Sequence, residues 1–113
     1  EFIFDPVFSG SGDLRGAAKL EGRRLLLTSR LPRDDFNPLY TQLTGFEKLG
    51  AAANDFTVTN RVTGASVRLT GDTPLHSLAV YGQDRALCVE PFTAIRLRPG
   101  ETVRWQTRWE FKI

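Results

Sequence analysis

Cysteine and histidine are nearly absent from this sequence, which contains one of each, Cys88 and His76. A single cysteine excludes an internal disulfide framework and a zinc site built from several thiolates. A single histidine excludes a metal site formed mainly by imidazoles. We therefore expect no metal and no cofactor, so the chemistry must come from carboxylates, hydroxyls, aromatic rings and the backbone.

Long apolar runs are also missing, and the excess of positive charge is small. No stretch approaches the ~18–20 consecutive apolar residues of a membrane-spanning helix, so we expect no membrane partner. The sequence has 15 Lys and Arg against 13 Asp and Glu, a net charge of +2. The arginines are spread along the chain, whereas nucleic-acid-binding proteins concentrate basic residues on one stripe. We therefore expect no nucleic-acid partner.

The length and the first residues bear on domain organisation. With 113 residues, of which 41% are hydrophobic, the chain suits one globular domain. It contains no methionine, and its apolar opening lacks the basic segment of a signal peptide. We expect residues 1–113 to form either a single β-sandwich domain or the C-terminal fragment of a larger domain. One cysteine and no signal segment indicate a cytoplasmic protein.

Strand patterns dominate the sequence, and helical periodicity is scarce. Residues 103–113 alternate between apolar and polar or charged side chains, as in a strand with one buried face. Thr63 and Gly64 end a short connection between two apolar segments, which predicts a hairpin with Gly64 in the left-handed conformation. We predict an all-β fold, an antiparallel β-sandwich. The predicted strands include residues 24–30, 56–60, 65–70, 75–81, 86–89 and 103–113.

Glu90 is the first candidate for catalysis. It follows the apolar segment 86–89 and precedes Pro91, which disfavours helical geometry and keeps the carboxylate on extended backbone. A carboxylate at the mouth of an apolar sheet loses solvation and becomes a better general base near neutral pH. The alternative is an ordinary solvated glutamate where a strand meets a loop.

Asp34 and Asp35 are the second candidate. Two adjacent carboxylates in a loop hydrogen-bond sugar hydroxyls or bind a cation, although Asp-Asp before Asn-Pro is also a common turn sequence. The remaining reactive side chains have simpler interpretations. We interpret His76 as a histidine at the core or the edge of a strand, and Cys88 as a small hydrophobic residue in an apolar strand.

Several of these segments, in this order, resemble the C-terminal half of the aldose 1-epimerases, the galactose mutarotase-like family. The most specific part is Glu-Pro-x-Thr at 90–93 followed by Leu-x-Pro-Gly-Glu at 97–101. The other matching segments are Leu-Pro-x-Asp-Asp at 31–35, Asp-x-Pro at 72–74, Val-Tyr at 80–81 and the aromatic strand near residue 111. The resemblance covers residues 25–111, which is most of this chain but only part of such an enzyme.

The resemblance implies part of a large antiparallel supersandwich that opens one face to a hexose and interconverts its anomers. Glu90 would be the general base that removes the proton of the anomeric hydroxyl, and Asp34 or Asp35 would bind sugar hydroxyls. The family's histidine acid lies upstream of the matched region. The acid would therefore come from the protein's own N-terminal half or from a second chain.

Two other functions are compatible with the same residues. One is a non-catalytic carbohydrate-binding β-sandwich in which Asp34, Asp35, Glu90 and an exposed aromatic ring hold a sugar. The other is a structural domain with the face of Trp105 and Trp109 packed against a partner. A Glu90→Gln variant that loses turnover and keeps its sugar affinity would distinguish the enzyme from the binding module.

Overall fold

The computed structural model consists of two antiparallel β-sheets packed face to face. It describes residues 16–22, 24–31, 33, 38–46, 48–84 and 86–113, and the backbone of 2–4 and 9–13. The strands are β1 (Phe2–Phe4), β2 (Ser9–Asp13), β3 (Ala18–Glu21), β4 (Arg24–Leu27), β5 (Leu39–Thr44), β6 (Asp55–Thr59), β7 (Ser66–Gly71), β8 (Ser77–Gln83), β9 (Ala86–Phe92) and β10 (Thr107–Lys112). A 3-10 turn, Ala51–Ala53, precedes β6. The predicted all-β antiparallel fold is confirmed.

The strands divide into a six-stranded and a four-stranded sheet. The order in the six-stranded sheet is β10-β7-β6-β1-β4-β3, and the order in the four-stranded sheet is β2-β5-β8-β9. All neighbouring strands are antiparallel. Within the described ranges, β10, β3, β2 and β9 therefore lie at the sheet edges. No helix in these ranges has the length and the apolar character needed to cross a membrane.

Apolar side chains from both sheets form the core between them. Leu25, Phe56 and Leu69 come from the six-stranded sheet, and Leu43 and Leu78 come from the four-stranded sheet. None of these five side chains is more than 3% exposed. Because burial of one such side chain contributes roughly 1.5–3 kcal/mol, contact between the two sheets is the main source of stability.

The hairpin between β6 and β7 forms as the sequence predicts. Gly64 has a φ of 80°, in the left-handed region, and its N–H donates to the Asn60 carbonyl oxygen at 2.8 Å. The side-chain oxygen of Asn60 accepts a second hydrogen bond from the N–H of Val62 at 2.9 Å. The left-handed conformation predicted for Gly64 is confirmed.

Other strands differ from the sequence prediction in number and in length. The apolar pattern does not predict β2, β3 or β5, and β2 has no apolar residue at all because its sequence is Ser-Gly-Ser-Gly-Asp. β10 begins at Thr107 rather than at residue 103, because Thr107 pairs with Gly71, the last residue of β7. β10 therefore has no neighbouring strand to pair with before Thr107.

Cys88 is exposed, contrary to its predicted place among apolar residues. On β9 it alternates with Leu87 and Val89, which pack against the core. Successive side chains of a strand point to opposite faces, so Cys88 lies on the outer face of the four-stranded sheet. The strand predicted over residues 86–89 is confirmed, and the interpretation of Cys88 as a hydrophobic residue within it is wrong because Cys88 is exposed.

Candidate functional site

Glu90 lies on the outer face of the four-stranded sheet. β9 continues through Phe92 instead of ending at Val89, and Pro91 is tolerated because β9 is an edge strand. Val89 packs against the core, so Glu90 points away from it and is exposed. The extended backbone predicted at Glu90 is confirmed. The predicted loss of solvation is wrong, because water reaches the exposed carboxylate.

The outer face around Glu90 is mainly polar and aromatic. We call it the polar face and define it by Tyr40, Gln42, Ser77, Tyr81, Glu90 and Phe92. The strand register places Gln42 opposite Ala79 and Ala79 opposite Glu90, so that the three form one row across β5, β8 and β9. With neighbouring strands ~4.8 Å apart, the Cα atoms of Gln42 and Glu90 lie about 10 Å apart.

Small residues and one hydrogen bond occupy the centre of the polar face. The side-chain amide of Gln42 donates to Ser77 Oγ at 3.1 Å. Ser77 is 1% exposed and Ala79 is 4% exposed, and Ala79 does not belong to the hydrophobic core cluster. Ala79 carries only a methyl group, and the residues with longer side chains, Gln42 and Glu90, lie on either side of it in this row.

Aromatic rings lie on both sides of this central row. Tyr40 pairs with Tyr81 in the row on one side, and Ser77 pairs with Phe92 in the row on the other. Tyr40 is 43% exposed and Phe92 is 46% exposed. The half-buried Tyr81 donates its hydroxyl proton to Gln83 Oε1 at 3.4 Å. The face therefore combines hydrogen-bonding groups at its centre with accessible aromatic surface at its ends.

Asp34 and Asp35 lie outside the residues that the structure describes. Their neighbour Arg33 is described, and its Nε lies 3.2 Å from Asp84 Oδ2. Arg30 Nε donates to Asp84 Oδ1 at 2.8 Å. The hydrogen bond from Arg30, and then the charges of both arginines, hold the pKa of Asp84 below its usual range. These ion pairs connect the segment after β4 to the turn between β8 and β9.

His76 lies one residue before β8 and is exposed. Its backbone N–H donates to the carbonyl oxygen of Phe92 at 2.8 Å. Its side chain lines a small cavity of about 230 Å³ together with Thr73, Pro74, Leu75 and Ala94. None of these residues belongs to the polar face. The structure therefore places His76 at the N-terminal end of β8, outside the polar face that carries Glu90.

A larger groove of about 730 Å³ lies where β7 ends and β10 begins, and Asp72 and Trp105 contribute to its lining. Asp72 Oδ1 accepts hydrogen bonds from the backbone N–H of Gln106 at 2.9 Å and from the hydroxyl of Thr73 at 3.0 Å. The two hydrogen bonds hold the pKa of Asp72 below its usual range, and the bond from Gln106 has the larger effect. Asp72 therefore anchors the segment that leads into β10.

Sequence reasoning missed the residues that β5 contributes to the polar face. Leu39 and Leu43 are fully buried and alternate with Tyr40 and Gln42, so the period-two pattern was present but short. The contact between Gln42 and Ser77 joins residues 35 positions apart and has no local signal. Among the described residues, no three His, Cys, Asp or Glu side chains are placed to hold a metal ion.

No protein-family model, no curated protein and no solved structure matches this chain. The function is therefore inferred from the side chains of the polar face.

Proposed function

We propose that this protein binds carbohydrate on the polar face of the four-stranded sheet. The observation that carries the proposal is the central row, in which Gln42 and Glu90 flank the small residue Ala79. A carboxylate accepts hydrogen bonds and an amide both donates and accepts them, which matches the hydroxyl groups of a sugar. The rings of Tyr40 and Phe92 offer apolar surface to the C–H faces of the same sugar.

A hexose is the ligand class that we propose. The resemblance to aldose 1-epimerases supports a hexose, and it adds Asp34 and Asp35 as further ligands of its hydroxyls. The span of about 10 Å between Gln42 and Glu90 suits one sugar ring held between their side chains. Sites of this kind use a few placed polar groups beside aromatic surface.

The test of binding is a calorimetric titration of the protein with a series of hexose monosaccharides. We expect saturable binding of one of them by the natural sequence and at least ~tenfold weaker binding by Glu90→Gln and Gln42→Leu, because each variant loses hydrogen bonds to the sugar. Glu21→Gln is the matched control, since Glu21 is an exposed glutamate on β3 of the other sheet. Equal affinities in all four proteins, or no binding of any hexose, would refute the proposal.

Mutarotation is the second candidate function, and it rests on the exposed carboxylate of Glu90 on extended backbone. In this reaction the carboxylate takes the proton of the anomeric hydroxyl, the bond from C1 to the ring oxygen breaks, and the ring oxygen takes a proton from an acid. Reclosure on the other face of the aldehyde gives the other anomer and returns both protons. The resemblance implies that the acid comes from outside the matched residues 25–111.

The rate of anomer equilibration, followed by NMR on a freshly dissolved hexose, tests this second candidate. For a mutarotase, in contrast to a binding module, we expect Glu90→Gln to lower the rate by ~10²–10⁴-fold and to leave the amount of bound sugar within a few-fold, because the base acts in the transition state. A chain that binds the sugar without changing the rate is a binding module. A Glu90→Gln variant with full turnover would exclude Glu90 as the base.

We place the protein in the cytoplasm. The exposed, unpaired thiol of Cys88 supports this location, because such thiols persist in reducing compartments. Fractionation of the producing cell, with immunodetection of the chain, tests it.

A further inference from the structure

β10 is an edge strand that lacks two common protections against pairing with another chain. The edge strand β3 has only four residues, and the edge strand β9 contains Pro91. Shortness and proline both discourage the addition of a further strand. β10 has six residues, Thr107–Lys112, without proline or glycine, and all six are exposed.

One face of β10 is apolar and uncovered. Trp109 is 53% exposed and Phe111 is 77% exposed. The register places Trp109 opposite Leu69 and Phe111 opposite Val67, so both rings continue the face that β7 turns toward the core. Leu69 is 2% exposed. The core therefore covers Leu69 on β7 but leaves the neighbouring rings on β10 exposed.

The backbone groups at the outer edge of β10 follow from its pairing with β7. The N–H of Asp72 donates to the carbonyl oxygen of Gln106 at 3.3 Å, so the backbone of Gln106 faces β7. Hydrogen-bonding direction alternates along an antiparallel strand. The N–H and C=O groups of Thr107, Trp109 and Phe111 therefore point to the open edge, where they can pair with another strand.

The charges of β10 select which strand can pair there. Arg108, Glu110 and Lys112 alternate along its polar face. If two copies pair antiparallel about Trp109, Arg108 of each copy lies opposite Glu110 of the other. Centring the pair on Arg108 or on Glu110 instead places like charges opposite each other, which is unfavourable. Centring it on Phe111 leaves most of β10 unpaired, because the strand ends at Lys112.

We propose that two copies of this chain pair through β10, antiparallel and centred on Trp109, so that their six-stranded sheets join into one. Trp109 of one copy then lies beside Trp109 of the other, and Thr107 lies beside Phe111. Two Arg108–Glu110 pairs flank this centre on the polar face. Because the same surface is used twice, the contact is self-complementary and closes at two copies.

Charge reversal on β10 tests both the contact and its register. In light-scattering and sedimentation measurements over a series of concentrations, we expect the natural sequence to reach twice the chain mass of 12.7 kDa. Arg108→Glu and Glu110→Arg should each raise the dissociation constant by on the order of a hundredfold, because each places two pairs of like charges together. An equimolar mixture of the two variants should dimerise again, because every opposing pair is then of opposite sign.

Arg96→Glu is the matched control, since it makes the same charge change outside β10, and we expect it to dimerise like the natural sequence. A natural sequence that stays monomeric at every concentration would overturn the proposal. So would an Arg108→Glu variant that dimerises as well as Arg96→Glu, or a mixture of the two β10 variants that stays monomeric.

Glu110→Arg places two arginines opposite each other, because residue 110 pairs with Arg68 on β7. Amide hydrogen exchange of the natural sequence gives a second measurement that does not depend on the folding of this variant. With rising concentration of the natural sequence, we expect slower exchange at Trp109 and Phe111. The amides of Arg108 and Glu110 already face β7 and should change little. Exchange at Trp109 and Phe111 that is independent of concentration would contradict pairing at this edge.

Discussion

Arg68 and Asp55 form a two-pronged ion pair between β7 and β6. Arg68 Nε donates to Asp55 Oδ1 at 2.9 Å, and Nη2 donates to Oδ2 at 2.6 Å. The hydrogen bonds from Arg68 hold the pKa of Asp55 below its ordinary value, and they raise the pKa of Arg68 in turn. Because the pKa of Asp55 is lower in the folded than in the unfolded chain, the pair stabilises the fold above the unfolded-state pKa of ~3.9. That contribution is lost as the pH falls through the folded-state pKa.

Asp55→Asn should therefore lower the free energy of unfolding at neutral pH and lose this effect in acid. Both side chains are more than one third exposed, so solvent screening keeps the expected loss below about 1 kcal/mol. Urea titrations of the variant and the natural sequence across a pH series measure the difference. It should shrink as the pH falls below the folded-state pKa of Asp55, where the carboxyl is protonated and resembles the amide. A difference that is the same in acid as at neutral pH would contradict the assignment.

Asn54 and Gly71 meet at a contact that admits no side chain on the glycine. Asn54 is 6% exposed, and its side-chain amide donates to the carbonyl oxygen of Thr73 at 2.8 Å. The N–H of Gly71 donates to the Asn54 carbonyl oxygen at 2.8 Å. A Cβ on Gly71 would overlap the side-chain amide of Asn54. The close approach explains why glycine ends β7.

Gly71→Ala should lower the free energy of unfolding by about 1–3 kcal/mol, because Asn54 must leave its buried hydrogen bond to make room. Gly82→Ala is the comparison, since the nearest atoms to a Cβ there are methyl groups of Leu31 and Leu87, at 3.2 Å. Flexible leucine side chains give way more easily than a buried amide. Urea unfolding of both variants measures the difference, and an equal loss in the two would contradict this ranking.

The β6–β7 hairpin depends on the left-handed conformation of Gly64. Gly64→Ala should lower the free energy of unfolding by about 1–2 kcal/mol, because a Cβ is strained at a φ of 80°. Gly64→Asn should cost less, since asparagine tolerates this conformation better than alanine does. No atom lies within 4 Å of the position of a Cβ at Gly64, so backbone strain is the cause being measured. Thermal unfolding that gives alanine and asparagine the same midpoint would contradict it.

The strands that sequence predicts are those whose signal is local. The β6–β7 hairpin has a turn glycine between two apolar segments, and β10 has alternating aromatic and charged residues. Alternation indicates that β10 has an apolar face, but it does not indicate what covers that face. Coverage depends on the width of the opposing sheet, which has four strands against six. The exposure of Trp109 and Phe111 was therefore beyond local reasoning.

In the candidate site, too, only the features with a local sequence signal could be predicted. Pro91 marks Glu90 as a carboxylate on extended backbone, and the structure confirms that conformation. The partners of Glu90 depend on strand order and register, which place Gln42 and Ser77 on its face from segments 48 and 13 residues earlier. Nothing in a single sequence fixes that register. Residue types can therefore be recognised locally, whereas their assembly into one face requires the whole sheet.

At the scale of the whole molecule, each sheet carries its own natural spectroscopic reporter. Both tyrosines, Tyr40 and Tyr81, lie in the four-stranded sheet. Trp109 lies in the six-stranded sheet, and Trp105 lies in the segment that leads into it. Because one core joins the two sheets, we expect both reporters to follow a single cooperative transition.

Leu78→Ala tests this coupling, because Leu78 belongs to the four-stranded sheet and is fully buried. The substitution should lower the free energy of unfolding by about 2–5 kcal/mol, since a cavity remains in the core. That is a large part of the ~5–15 kcal/mol typical of a domain. In a urea titration, the midpoints of tyrosine absorbance and tryptophan fluorescence should shift to lower urea together, although Leu78 lies in the sheet that carries the tyrosines. Leu97→Ala, at a half-exposed position outside the strands, should leave both midpoints nearly unchanged. A shift confined to the tyrosine signal would mean that the two sheets unfold separately and that the shared core does not couple them.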